Sequence, residues 1–199
     1  MLAVMMLTLS AASCSKVGNS GSPAVISNGS QANSEVLKVA QQVVEAFKAQ
    51  NGKTLSSLIH PVKGVRFSPS AYVDVASDVV FSKTQVDSFW TDEKIYAWGY
   101  ADGTGDPISM TASQYCRTYI MDRDFSSPSS VNVNNDRAAG NTNNNAALAY
   151  PQGIRVEYYI EPAVRNNIPE QDWAALRLVF EKMGESWFLV AVIHDEWST

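Results

Sequence analysis

The last eleven residues of the chain, LVAVIHDEWST, hold three consecutive side chains that can transfer protons or bind a metal ion. His194 is one of only two histidines in the protein, and Asp195 and Glu196 follow it directly. A histidine hydrogen-bonded to a carboxylate can act as a general base, and three such groups together can hold a divalent cation. Because side chains alternate across a β-strand, the element that carries these residues decides which of them can act together.

The C-terminal sequence predicts two long strands around a turn near Met183-Gly184. Alternation assigns an almost wholly apolar face, which we expect to lie under helices, to Leu176, Leu178, Phe180, Trp187, Leu189, Ala191, Ile193, Asp195 and Trp197. It assigns a second, mixed face to Ala175, Arg177, Val179, Glu181, Phe188, Val190, Val192, His194 and Glu196. On this sorting His194 points away from Asp195, and the two residues cannot form a dyad.

Two interpretations compete for His194 and Glu196, which share the predicted mixed face. They can form surface ion pairs, with Arg177 or another cation as the partner, or they can supply two ligands to a metal ion. A catalytic zinc takes three protein ligands, and His60 is the only other histidine, so we predict ion pairs and no metal site. Asp195 alone interrupts the apolar face, either as a pocket carboxylate with a raised pKa or as a strand-end residue bonded to backbone or solvent.

The rest of the chain predicts helices and short strands that precede the long hairpin. Apolar residues recur at helical spacing in SEVLKVAQQVVEAFKAQNG, with Asn33 or Ser34 as the N-cap and Asn51-Gly52 as the stop. Further elements are expected as helices at 54–59, 83–91 and 112–123, extended segments at 64–67, 71–75, 78–81 and 154–161, a hairpin at 95–110 and a polar loop at 126–150. This order indicates an α+β fold rather than alternating β-α units.

The N-terminal segment MLAVMMLTLSAASCSK is a short apolar run that ends in small residues and a cysteine. It resembles the lipobox of bacterial lipoproteins, which implies removal of residues 1–13 and a lipid on Cys14. Residues 14–33 are rich in Ser, Gly and Asn, a composition that suits a flexible tether before a single domain at 34–199. A plain signal peptide and an N-terminal strand are the alternatives. Cys116 is then an unpaired thiol, which we expect to be a small buried hydrophobe.

Charge and composition exclude some classes of partner. The net charge is -5 and the basic residues are scattered, so we predict no nucleic-acid partner, because phosphate binding needs a clustered basic surface. NGKT at 51–54 resembles the end of a phosphate-binding loop, but Phe47 stands where the first glycine is required, so we reject it. The sequence contains no zinc-protease helix motif and no nucleophile elbow. We therefore assign no catalytic residue and no cofactor from sequence.

Several segments resemble a family of uncharacterised bacterial surface lipoproteins: HPVKGVRFSP, WGYADGTGDPI, GNTNNN, VEYY, DWAALRLVFE and WFLVAVIHDEW. The element order resembles the NTF2-like and cystatin-like folds, in which N-terminal helices lie on a curved antiparallel sheet. The resemblance implies an envelope location and a pocket between sheet and helices, and it supplies no catalytic residues. The residues that we expect to line such a pocket are Asp195, Tyr158, Trp98, His60 and Arg66.

We expect a cell-envelope protein that is anchored in the membrane through its N-terminal lipid and binds a ligand without catalysis. Its partner would be an envelope glycan, a peptide or a protein. A second hypothesis is a hydrolase or isomerase that uses Asp195, and a third is a structural surface protein that self-associates, for example as a homodimer through the sheet face.

Overall fold

The apolar stripe of the first helix and the alternating C-terminal strands form the two layers of the molecule. The computed structural model describes residues 28–101, 103–137, 142–165, 168–169 and 171–197. Cys14 and the predicted leader lie outside these residues. Within them, no helix is both long enough and apolar enough to cross a membrane.

The helices are mostly short. They are α1 (Asn28–Lys48), α2 (Gly52–Leu58), α3 (Lys83–Asp87), α4 (Ala112–Tyr115), which continues as a π-helical turn (Cys116–Ile120), and α5 (Ala146–Ala149). The strands are β1 (Val65–Ser68), β2 (Val79–Phe81), β3 (Tyr96–Tyr100), β4 (Pro107–Met110), β5 (Ser130–Val133), β6 (Ile154–Ile160), β7 (Val164–Arg165), β8 (Ile168–Pro169), β9 (Ala174–Met183) and β10 (Ser186–Glu196).

The main sheet has six strands in the order β2-β1-β10-β9-β6-β5. All neighbouring pairs are antiparallel except β1 and β10, which run parallel. The long hairpin β9–β10 turns at Gly184, which has a positive φ of 61°. The predicted α+β class, with helices on a curved and mainly antiparallel sheet and a C-terminal hairpin, is confirmed.

Local sequence signals explain where several helices begin and end. Ser82 and Gln85 form the predicted capping box of α3. Helix α1 begins at Asn28, so residues 28–33, which we predicted as linker, are helical. The predicted stop at Asn51-Gly52 was wrong in detail: Gln50 takes the left-handed conformation, and the Asn51 side chain caps α2 by accepting from the Thr54 N–H.

A β-bulge in β10 reverses our predicted faces for the end of the chain. Leu189 pairs with Phe180 but Ala191 pairs with Val179, so Val190 is an extra residue in the ladder. Every side chain after the bulge therefore turns to the other side of the sheet. The prediction holds up to Val190, which packs beside Val179 as expected, and is wrong from Ala191 onward.

After the bulge, His194 lies opposite Leu176 on the face covered by helices, and Asp195 lies opposite Ala175 on the outer face. His194 and Glu196 do share a face, as predicted. Arg177 is not on that face, so the predicted ion pair of this face with Arg177 was wrong. Arg177 lies instead on the outer face with Asp195.

The outer face of the sheet is covered by loops rather than open to solvent. Val73 and Ala146 pack over Val179, Ala191 and Ile193 and bury them. The side chain of Asn145 joins the two covering loops, because its Oδ1 accepts from the Val73 N–H and its Nδ2 donates to the Val73 carbonyl. Charged groups on this face are therefore buried, and they need partners.

Candidate functional site

Two of the predicted pocket residues stabilise the fold away from Asp195. Trp98 is fully buried, stacks on Tyr115 with ring centroids 3.9 Å apart, and donates from Nε1 to the Met110 carbonyl. His60 closes a tight turn, where its Nδ1 accepts from the N–H groups of Val62 and Lys63. Burial lowers the pKa of His60, and the nearby charge of Lys63 lowers it further.

The side chain of Arg66 forms hydrogen bonds on the outer face of the sheet. Its Nε donates to the hydroxyl of Tyr150, and its Nη1 donates to the carbonyls of Asp74 and Asp78. These contacts fix the loop that follows β1. The structure therefore does not bring Arg66, His60, Trp98 and Asp195 into one pocket.

Asp195 belongs to a buried ion network that we call the outer network: Arg177, Glu157 and Asp195. Arg177 Nε lies 2.8 Å from Glu157 Oε2, and Nη2 lies 2.7 Å from Asp195 Oδ2. Glu157 also accepts from the Arg137 N–H and from Asn132 Nδ2. Both carboxylates are thus compensated by one guanidinium.

The pKa values of the outer network follow from this arrangement. Burial raises the pKa of Asp195, and the charge of Arg177 opposes that effect without cancelling it. For Arg177 burial acts to lower the pKa, but Asp195 and Glu157 outweigh it and raise the pKa. The network is a structural ion cluster with 5% or less of each residue exposed.

A second cluster, which we call the inner cluster, lies on the helix-covered face and comprises Asp122, His194 and Glu196. One potential ligand atom from each residue lies within 4.8 Å of those from the other two. The π-helical turn positions it: the turn closes with the Met121 N–H donating to the Cys116 carbonyl at 2.7 Å, and Asp122 follows directly. Single π-helical turns of this kind are frequent at functional sites.

His194 is held in one orientation by its surroundings. The ring packs edge-on against Tyr119, with centroids 5.5 Å apart and planes at 89°. Its Nδ1 lies 3.3 Å from the Pro69 carbonyl oxygen. A carbonyl can only accept, so Nδ1 carries the hydrogen and Nε2 is the ring atom directed at Asp122.

The polar atoms that meet in the inner cluster have few partners. His194 Nε2 and both carboxylate oxygens of Asp122 are buried without a hydrogen bond to any of the described residues. His194 Nε2 lies 3.6 Å from Asp122 Oδ1, and Asp122 Oδ2 lies 3.6 Å from Arg123. Burial acts to lower the pKa of His194, but the carboxylates of Asp122 and Glu196 and the Pro69 carbonyl outweigh it and raise the pKa.

A groove of about 280 Å³ separates α1 from the β5–β6 edge of the sheet. Tyr158, the one predicted pocket residue that borders it, forms part of its floor. The other lining residues are Leu37, Gln41, Val44 and Glu45 from α1, and Ser126, Pro128 and Val131 from the opposite wall. Burial, together with the charge of Glu45, raises the pKa of the Tyr158 hydroxyl, which is therefore a neutral hydrogen-bonding group.

Sequence reasoning missed Asp122 because it lies more than seventy positions from His194 along the chain. It also missed the orientation of His194, because VAVI at 190–193 is apolar at every position and carries no mark of a bulge. The predicted burial of Cys116 is confirmed: the thiol is free and buried, and burial raises its pKa to about 12.

No family model and no curated protein matches the sequence. One solved structure to which the chain is similar is called Rd1NTF2_05, in a version with five substitutions; it is 12% identical, with a TM-score of 0.37 over 82% of this chain and 98% of that one. Another is described as a calcium/calmodulin dependent protein kinase II association domain from Xanthomonas campestris; it is 11% identical, with a TM-score of 0.38 over 81% and 85% of the two chains. Likenesses of this degree assign no activity to the chain.

Proposed function

We propose that this protein is a lipid-anchored protein of the bacterial cell envelope whose NTF2-like domain binds a small amphipathic ligand without catalysis. The observation that carries the proposal is the groove between α1 and the β5–β6 edge. Its volume of about 280 Å³ lies just below the range for small-molecule sites, roughly 300–1,000 Å³, so a small ligand fits it best. The anchor at Cys14 is proposed from the lipobox-like sequence alone.

The lining of the groove suits a ligand with one apolar and one polar side. Leu37, Val44 and Val131 supply apolar contacts along its length. The polar groups are the hydroxyl of Tyr158 and the carboxylate of Glu45, which accepts a hydrogen bond from Gln41 at 2.9 Å. Apolar walls with a few fixed polar groups are typical of sites that bind small molecules.

A groove-filling substitution tests the binding proposal. Gln41 is exposed on α1 and borders the groove, so Gln41→Trp is expected to fill it while leaving the helix intact. Gln42→Trp is the matched control, because Gln42 is also exposed on α1 but does not line the groove. Thermal shift and NMR titration with short peptides and envelope oligosaccharides measure the effect. Binding that survives Gln41→Trp, or no binding to either class, contradicts the proposal.

The anchor has a separate test. In a bacterial host, Cys14→Ser is expected to move the protein from the membrane fraction to the soluble fraction, and mass spectrometry should show loss of the lipid. Cys116→Ser is the control, since that thiol is buried in the fold. A protein that stays in the membrane fraction after Cys14→Ser contradicts lipidation at this residue.

Catalysis by Asp195 in a pocket is less well supported by the geometry. Its carboxylate contacts Arg177 and is almost fully buried, so a substrate would have to displace an ion pair. Self-association through the outer sheet face stays a prediction, which analytical ultracentrifugation can test; loops already cover the centre of that face.

A further inference from the structure

We propose that Asp122, His194 and Glu196 form a binding site for a divalent transition metal ion, with zinc as the best-suited occupant. The site is distinct from the ligand groove and does not depend on the proposed function. It replaces the sequence-based prediction of no metal site, which rested on the faces that the β-bulge reverses.

The chemical types of the three side chains and the distances between them suit a zinc ion. One imidazole nitrogen and two carboxylates are donors that zinc accepts, and three protein ligands leave one position open for water. Neighbouring ligands of a tetrahedral zinc lie about 3.4 Å apart, given bond lengths of about 2.1 Å. The His194–Asp122 separation is 3.6 Å, and the whole set lies within 4.8 Å. A movement of the Glu196 side chain, which is exposed, would bring the three ligand atoms to the distances that zinc requires.

The orientation of the His194 ring is also that of a metal-bound histidine. Metal-bound histidines almost always donate their other ring N–H to a carbonyl or carboxylate, which fixes the tautomer. His194 has this arrangement, because Nδ1 faces the Pro69 carbonyl and Nε2 faces the carboxylate of Asp122. The residue is only 2% exposed, so the ring cannot turn Nε2 toward solvent.

Three buried polar atoms of the inner cluster have no hydrogen bond to the described residues, and a bound cation would explain this. A buried polar atom without a hydrogen bond is costly, and the described part of the chain offers none to His194 Nε2 or to either oxygen of Asp122. A cation coordinated by these atoms removes the cost for Nε2 and for at least one oxygen of Asp122. A bare ion pair between a protonated His194 and Asp122 is the competing explanation, and at 3.6 Å it lies beyond hydrogen-bond distance.

Solvent and ions can reach the cluster. Asp122 borders a cleft of about 400 Å³ between the end of α1 and the π-helical turn. Glu196 lies at the exposed end of β10. The cluster therefore lies next to solvent at Asp122 and at Glu196.

Calorimetric titration of the full chain carrying Cys14→Ser tests the site, after chelator treatment and with Zn²⁺ as the probe. Removing the thiol of Cys14 leaves only the buried Cys116. We expect one Zn²⁺ per chain, with weaker binding of Mg²⁺ and Ca²⁺, which prefer all-oxygen sites. No saturable binding of Zn²⁺, or binding of Mg²⁺ as tight as that of Zn²⁺, overturns the proposal.

Variants locate the site. His194→Gln is expected to weaken Zn²⁺ binding by more than about 100-fold, since loss of even an outer partner of a ligand costs 10–100-fold. His60→Asn is the matched control: it removes the other histidine, keeps an acceptor for the turn, and should leave the affinity unchanged. Loss of binding in His60→Asn, or wild-type affinity in a folded His194→Gln, overturns the proposal.

A second variant keeps the test decisive if His194→Gln fails to fold. Glu196 is exposed, so Glu196→Gln is expected to fold normally and to weaken Zn²⁺ binding at least about tenfold. Substitution by Co²⁺ adds a spectroscopic readout, because a tetrahedral site gives intense visible bands. Unchanged affinity and an unchanged Co²⁺ spectrum in Glu196→Gln would exclude Glu196 as a ligand and overturn the three-residue site.

Discussion

The two sides of the end of β10 carry similar charged groups in opposite arrangements. On the outer side, Arg177 compensates Glu157 and Asp195 at 2.8 and 2.7 Å. On the helix-covered side, His194 and Asp122 approach each other only to 3.6 Å. Adjacent residues of one strand thus belong to two different kinds of site.

The difference separates a structural ion network from a candidate functional one. In the outer network each carboxylate has a direct cationic partner, as buried charges require. Arg177 Nη1 and Nη2 have no hydrogen bond to the described residues, but Nη2 still lies 2.7 Å from Asp195 Oδ2. In the inner cluster three polar atoms lack hydrogen bonds to the described residues, and the group opens to solvent at Glu196. Among the described residues, Trp90, Trp187, Asp136 and Arg177 also carry an unsatisfied buried atom. In the inner cluster, however, such atoms belong to two side chains that face each other, which favours a site for a ligand.

Breaking the outer network should produce the largest effect. Arg177→Met leaves Glu157 and Asp195 buried without a cation, which costs about 3–5 kcal/mol of the free energy of unfolding. Urea denaturation followed by tryptophan fluorescence measures the loss.

A triple variant provides the control for that loss. Arg177→Met combined with Glu157→Gln and Asp195→Asn removes all three charges, and it should recover most of the stability because no uncompensated charge remains. A single Arg177→Met variant that loses less than about 1 kcal/mol would mean that the outer network contributes little and that the contrast between the two sides fails.

Zinc should stabilise the protein through the inner cluster. A ligand that binds only the folded state raises the free energy of unfolding by about 2.7 kcal/mol at a free concentration 100 times its Kd. The rise should be seen in the Tm of the wild-type protein and be absent from His194→Gln. Arg177 lies on the other side of the sheet, so the triple variant of the outer network should retain the full effect of zinc. Loss of the zinc effect in that variant would mean that the two sides are coupled.

Much of the fold could be predicted because its signals are local. The capping box at Ser82 and Gln85 and the alternation of 154–161 depend only on nearby residues. Alternation within β6 and β9 also explains why Glu157 and Arg177, which pair across these strands, share one face. It could not show that loops cover that face, since the covering contacts of Val73 and Ala146 come from distant segments.

The candidate site could be predicted only in part. His194 and Glu196 were recognised as a pair on one face because their spacing of two survives any change of register. Which face they occupy depends on the bulge at Val190, and no residue in VAVI marks it. Asp122 joins the pair only through tertiary packing of the π-helical turn on β10, so no sequence pattern predicts it.

Asp78 is intermediate between the outer network and the inner cluster in how its charge is compensated. Its carboxylate is partly buried and accepts from Ser68 and from the Asp74 N–H, but it has no direct ion pair among the described residues. Burial raises its pKa from 3.8 to about 6, against the opposing effect of those hydrogen bonds. Because the folded-state pKa is above the unfolded one, its contribution to stability is full below about pH 4 and is lost as the pH rises through 6.

The Asp78→Asn variant should flatten that pH dependence. Relative to this variant, the wild-type protein is expected to lose about 2 kcal/mol between pH 4 and pH 7, less than the full shift implies because the group is partly exposed. Urea denaturation at several pH values measures it. Asp124→Asn is the control, since that residue is exposed and its pKa is lowered. Parallel curves for wild type and Asp78→Asn would refute the assignment.

The Asp122→Asn substitution has the smallest expected effect on stability. It tests most directly whether the inner cluster differs from the outer network. Asp122 is about as buried as many structural carboxylates, with 11% of its side chain exposed, yet neither oxygen accepts a hydrogen bond from the described residues. Asp122→Asn therefore removes a desolvated charge at the cost of two contacts at 3.6 Å, and we expect the free energy of unfolding of the metal-free protein to change by less than about 1 kcal/mol.

Glu157→Gln, which removes one charge from the outer network, should cost more because Arg177 loses a direct partner. If Asp122→Asn instead destabilises the metal-free protein as much as Glu157→Gln does, the inner cluster contributes to folding as the outer network does. The unsatisfied atoms of His194 and Asp122 would then no longer distinguish a functional site from a structural one.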